Sequence, residues 1–167
     1  MKDLLKQVSE KAIALADFDF TKSQIDEKWL GYPPASEDEI KDVEKKLEIQ
    51  LPTDYKYFLA ITNGFSAPND IEPSLNSVQK IDFLKNIDNQ IIEAYNIEGI
   101  KDIGQSLEKS ILVGGIKEEQ YFLLIPPKSK SEKWKYWKFA NWIPGEEEYE
   151  GLEDYFTQVL EFIEDQI

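Results

Sequence analysis

Apolar residues along the first third of this chain fall in helical rhythm. From residue 3 to about 16, Leu4, Leu5, Val8, Ala12, Ile13 and Leu15 recur at the spacing of one helix face. Ile40, Val43 and Leu47 repeat at i, i+3 and i+7, which predicts a second helix ending near Glu48. Ser36 stands at its N-cap, Glu39 completes a capping box, and Glu37 and Asp38 suit the positive end of the helix dipole. Leu51-Pro52 breaks the chain, and Thr53 or Asp54 opens a third helix with Tyr55, Phe58 and Leu59 on its buried side. Asn63-Gly64 is predicted to end that helix, with Gly64 as a left-handed cap. Thr21 to Trp29 is open between a loop and a short helical turn. The Pro-, Asn- and Ser-rich stretch 65–76 is predicted as an exposed loop.

The rhythm then shortens. Val78 to Phe83 suits a short strand with a register irregularity, and Asp88 to Ile97 a helix burying Ile91, Ile92 and Tyr95. Ile111–Gly115 and Gln120–Ile125 are apolar runs joined by a tight connection, which predicts a buried hairpin. Lys128 to Lys133 is a polar turn, and Trp134 to Phe139 an aromatic strand. Pro144-Gly145 begins an acidic loop. Leu152, Tyr155, Phe156, Val159, Leu160 and Ile163 give a final amphipathic helix. Helices, then an antiparallel meander, then a closing helix packed on the sheet indicate an α+β fold. With 167 residues and no internal repeat, the chain is expected to form a single domain, 1–167.

Composition narrows the function. The net charge is −14, from 33 acidic and 19 basic residues. Nucleic acid and anionic membrane surfaces are disfavoured, because both require neutralisation of phosphates by cations. A basic protein partner is favoured, since a field of this sign steers its approach. There is no Cys, so there is no disulfide and no thiol nucleophile. There is no His, which removes the commonest general base and metal ligand. Neither a phosphate-binding glycine loop nor a calcium loop is present, so no cofactor and no metal are expected. Carboxylate pairs are too numerous in so acidic a chain to indicate catalysis, and the protein is read as not an enzyme. The charged start, Met1-Lys2-Asp3-Leu4, is unlike a signal peptide, and the expected location is cytoplasmic.

One stretch is more specific. Trp29-x-Gly31-x-Pro33-Pro34-Ala35-Ser36-x-x-x-Ile40-x-x-x-Glu44-x-x-Leu47 resembles the opening of the SUKH superfamily. Leu51-Pro52-x-Asp54-Tyr55-Lys56-x-Phe58-Leu59-x-x-x-Asn63-Gly64 continues the same pattern. Phe65 stands where a small residue is often seen, and 84–102 has no close counterpart. The superfamily includes bacterial immunity proteins that neutralise polymorphic toxins, many of them nucleases, and a fungal regulator of cell-wall assembly. The resemblance implies an α+β domain that binds a protein, a cognate toxin above all, and performs no chemistry. The alternative it implies is a regulatory adaptor for endogenous proteins.

The motif itself suits scaffolding. Trp29 is an apolar anchor, and Gly31, Pro33, Pro52 and Gly64 are backbone residues set by turns and caps. Asn63 suits a turn or cap more than a contact. The C-terminal acids form the better partner-binding candidate. Beyond Lys138 there is no Lys or Arg, and Glu146, Glu147, Glu148 and Glu150 lead a long acidic block. Such a block is either a solvated surface or a carboxylate face for the Lys and Arg of a partner. In the aromatic strand, alternation sends Trp134 and Tyr136 to one face and Lys135 and Trp137 to the other. Trp137 is thus either core or an exposed aromatic contact for the partner.

Overall fold

The computed structural model describes residues 1–16, 18–129, 131–140 and 146–166. The chain opens with helix α1 (Lys2–Leu15) and a short helix α2 (Lys22–Glu27). α2 settles the stretch left open by the sequence. It forms because Thr21 and Gln24 cap each other: Gln24 N donates to Thr21 Oγ1 at 3.3 Å and Thr21 N donates to Gln24 Oε1 at 2.9 Å. Helix α3 (Glu37–Leu47) starts on the predicted box, with Ser36 N donating to Glu39 Oε2 at 2.7 Å. Helix α4 (Thr53–Ile61) follows Pro52. Between them the buried Glu44 accepts the N–H of Leu51 at 2.8 Å and the Lys56 ammonium at 3.1 Å. One carboxylate therefore fixes the angle at which the chain leaves α3 and enters α4.

Two expectations fail here, for one reason. α4 ends at Ile61 with Thr62 extended, so Gly64 is not its cap. The fully buried Thr62 instead ties its own turn to the incoming chain, accepting Tyr32 N at 2.8 Å and donating to the carbonyl of Gly64 at 2.6 Å. Gly64 has φ 104°, and a Cβ there would lie 2.8 Å from the carbonyl oxygen of Leu75. It allows close backbone approach rather than helix termination. The 65–76 stretch is not an exposed loop either. Phe65, Ala67, Asn69 and Leu75 are buried, and isolated bridges run Gly31 to Phe65, Phe65 to Leu75 and Leu75 to Gly114.

The sheet comprises β1 (Asp82–Phe83), β2 (Ile111–Gly114), β3 (Gln120–Ile125), β4 (Lys135–Ala140) and β5 (Glu146–Tyr149), antiparallel throughout and in sequence order. β1 is shorter than predicted because Val78 to Lys80 turns instead of extending. Helices α5 (Leu84–Ile87), α6 (Asn89–Tyr95) and α7 (Lys101–Lys109) intervene between β1 and β2. Helix α8 (Leu152–Glu164) closes the chain.

Strand alternation gives two cores. Ile111, Val113, Phe122, Leu124, Tyr136 and Tyr149 face the layer of α1, α3, α4 and α8. Leu112, Tyr121, Leu123, Ile125, Trp137 and Phe139 face the layer of α5, α6 and α7. Burying each large apolar side chain contributes roughly 1.5–3 kcal/mol against the entropy of ordering it. α8 lies against α1, with Lys11 reaching Glu164 at 3.1 Å and the Met1 amino group reaching Glu153 at 3.5 Å. The fold is α+β, as expected, with helices on both faces of the meander.

Candidate partner-binding surface

The acidic segment after residue 145 is not a loop. Glu146–Tyr149 is the outermost strand of the sheet, and Glu146, Glu147 and Glu148 are all exposed. The partner strand supports β5 at two register positions, where β4 presents a cation or an indole N–H, while Glu146 faces Phe139. Lys138 lies opposite Glu147, and Trp137 opposite Glu148. The Lys138 ammonium reaches Glu147 at 3.0 Å, and the Trp137 indole N–H donates to Glu148 Oε2 at 2.9 Å. Lys135 adds a second contact to the same oxygen at 3.1 Å.

These pairings divide the predicted carboxylate surface. Burial pushes the Glu148 carboxyl up, but the hydrogen bonds from Trp137 and Lys135 outweigh it and hold the group below the usual range. Glu147 behaves alike, with Tyr149 and Lys138 as its donors. Glu147 and Glu148 thus serve the sheet as well as the surface. Glu146 and Glu150 take part in no ion pair among the described residues and are exposed. They are the uncommitted charges of the segment.

Trp137 is corrected more sharply. It is 4% exposed and packs beneath α6 and α7 with Leu123, Ile125 and Phe139. It is core, so the expectation of an exposed aromatic contact fails. The physical reason is the helical insertion 84–109, which covers the sheet face that the sequence left open. Trp137 still reaches the floor of a cleft of about 380 Å³ between α7 and the β4–β5 ribbon, where Glu146, Asp102 and Lys135 also stand. Trp142, a further aromatic of the sequence just beyond β4, lies outside the described residues.

Trp29, Gly31, Pro33, Asn63 and Gly64 cluster where the chain before α3 meets the chain after α4, while Pro52 stands at the start of α4. Trp29 meets Phe65 edge to face at 5.7 Å. A Cβ on Gly31 would lie 2.4 Å from Thr62 Oγ1 and 2.6 Å from the Trp29 ring. The carbonyl of Pro33 accepts Asn63 N at 3.1 Å. Asn63 Oδ1 accepts Val78 N at 2.7 Å, and its amide donates to Gln79 at 3.2 Å. Pro52 is the N-cap of α4. Tyr32, Pro33, Asn63 and Asn76 line a groove of about 640 Å³.

Two polar constellations escape the sequence pattern. Lys138 sits between Glu147 and the buried Glu72, which it meets at 2.9 Å, while the Tyr155 hydroxyl donates to Glu72 at 2.9 Å. Burial lifts the Glu72 carboxyl above its usual range despite Lys138. Burial alone would lower the Lys138 ammonium, but Glu72 and Glu147 outweigh it and raise it. Alternation does place Lys138 on the same strand face as Tyr136, which is the available signal. Asp54 is the second. It accepts the Tyr136 hydroxyl and the backbone N–H of Leu152, joining α4 to β4 and to the start of α8. No local pattern marks a contact over that sequence separation.

Among the described residues no group of three or more His, Cys, Asp or Glu side chains is placed to hold a metal ion. No helix among them is long and apolar enough to cross a membrane.

An antiparallel meander layered by helices on both faces, ending in an acidic edge strand, defines the class of fold. Residues 34–162 match the model of the SMI1 / KNR4 family (SUKH-1), and the chain belongs to that family. No curated protein sequence matches it.

Proposed function

We propose that this protein is an immunity protein that neutralises a toxin, such as a nuclease, by stoichiometric binding and without chemistry of its own. The observation that carries the reading is the outer strand β5, where Glu146, Glu147 and Glu148 stand exposed at the rim of a protein of net charge −14. Carboxylates held in register by a sheet can meet the Lys and Arg side chains that a nuclease would use for phosphates. Family membership supports a protein partner. The absence of His and Cys from the sequence supports a non-catalytic role.

The test is co-expression with the product of a toxin gene adjacent to this protein's own gene. Restored growth, together with a 1:1 complex on gel filtration, is the expected result. Toxicity unchanged by the protein, with no complex formed, overturns the reading and leaves a regulatory adaptor for endogenous proteins as the better account.

A further inference from the structure

The outer side of β5 has no backbone partner among the described residues. In an antiparallel pair, alternate residues direct N–H and C=O toward the neighbour and the others direct them away. Two of the four residues in Glu146–Tyr149 therefore present both groups outward. Apart from its pairing with β4, no backbone hydrogen bond involves this segment among the described residues. The opposite edge is different. β1 has only Asp82 and Phe83 and runs straight into α5, so it offers a much shorter edge.

We propose that the partner joins this sheet as an added strand, laid along β5 by an extended basic segment. The proposal rests on the binding role argued above and specifies how binding occurs. Charge selects the occupant. A second copy of this chain would set Glu146–Glu150 against the same acids, and like charges directly opposite one another disfavour a strand pair. A strand carrying Lys or Arg meets Glu146 and Glu150, which have no internal ion-pair partner among the described residues. Main-chain bonds would supply affinity, and the side chains flanking them selectivity. The cleft beside Trp137 and Glu146 offers space for one side chain of the incoming strand. A four-residue edge spans roughly 13 Å, enough for one short strand and no more.

The probe is an eight-residue peptide of alternating Lys and Thr, titrated into the full chain and followed by amide NMR. A peptoid of the same length and charge, whose backbone has no N–H, is the control. The peptide is expected to slow amide exchange within Glu146–Tyr149, to leave Asp82 and Phe83 unchanged, and to bind roughly tenfold more tightly than the peptoid. The double variant Glu146→Lys/Glu150→Lys is expected to weaken the peptide by a similar factor. Equal binding of peptide and peptoid overturns strand addition and leaves charge alone. So does binding without protection of β5, or no binding at all. Toxin rescue is read separately. Rescue without peptide binding removes the strand but keeps the function, and the converse removes the function but keeps the edge.

Discussion

Trp137 donates its indole N–H to Glu148 at 2.9 Å across the β4–β5 pair, so a core aromatic and a surface acid are one unit. The indole ring is buried while its polar edge meets the rim of the sheet. Trp137→Ala is therefore expected to cost about 3–5 kcal/mol, through the cavity left under α6 and α7. Trp137→Phe keeps most of the packing and is expected to cost about 0.5–1.5 kcal/mol, since Lys135 still holds Glu148. Urea denaturation checks both. A Trp137→Ala variant as stable as the parent would mean that the ring is not core.

Lys138 stands between two carboxylates of opposite character. Glu72 is held above its ordinary range by burial, so the folded state keeps that proton longer, and this group erodes stability as pH rises through its raised value. Glu147 is held below its ordinary range, so its contribution is full above that range and is lost as pH falls through its lowered value. Lys138→Met leaves Glu72 buried without its cation. The expected loss is about 3–5 kcal/mol near neutral pH. It should shrink as pH falls into the acid range, because an unpaired buried carboxyl takes up a proton more readily than an exposed one. Urea midpoints across this pH range measure the difference between variant and parent. A pH-independent deficit would exclude Glu72 as its source.

Asp54 and Tyr136 test a contact that no local pattern announces. The carboxylate accepts the tyrosine hydroxyl and the N–H of Leu152, so it joins three elements. Asp54→Ala is expected to cost about 2–3 kcal/mol and Tyr136→Phe about 1 kcal/mol. The double variant should cost less than their sum by at least about 0.5 kcal/mol, because the two changes remove one shared bond. Strict additivity would show that the contact contributes nothing of its own.

What the sequence made legible follows from how local each signal is. The capping box at Ser36 and Glu39 acts within four residues, and the helix starts where those residues place it. Gln120–Ile125 is a strand with its predicted bounds because a continuous apolar run between a tight turn and two prolines has few other uses. The errors share a different cause. Phe65 bridges to Gly31 and Leu75 to Gly114, so a Pro- and Asn-rich stretch that looks solvated is buried. Trp137 is covered by helices inserted upstream of its strand. The Glu146 segment became a strand because Lys138 and Trp137 stand opposite it, a fact of register that composition does not encode.

Gly31 and Gly99 separate close approach from backbone conformation. A Cβ at Gly31 would collide with Thr62 Oγ1, at the end of α4, and with the Trp29 ring. Gly31→Ala is expected to cost about 1–3 kcal/mol or more through overpacking. Gly99 has φ 99°, but a methyl placed there would meet nothing within 4 Å. Gly99→Ala should cost only about 1 kcal/mol, the conformational penalty alone. Thermal melts of the two variants decide it, and a Gly99 variant as damaged as the Gly31 one would show that contacts do not set the order.

The acids of β5 should separate into two groups under charge reversal. Glu147 and Glu148 have internal partners, so Glu147→Lys sets two ammonium groups together at Lys138, and Glu148→Lys does the same at Lys135 while orphaning the Trp137 N–H. Each is expected to destabilise the fold by about 1–3 kcal/mol. Glu146→Lys and Glu150→Lys disturb no ion pair among the described residues and should leave stability within about 0.5 kcal/mol. If β5 meets a basic partner, the second pair should slow association at low ionic strength, and added salt should erase the difference. Stopped-flow association measured with stable variants isolates the binding effect from the folding one. An on-rate unaffected by Glu146→Lys/Glu150→Lys at low salt would move the interface away from this edge.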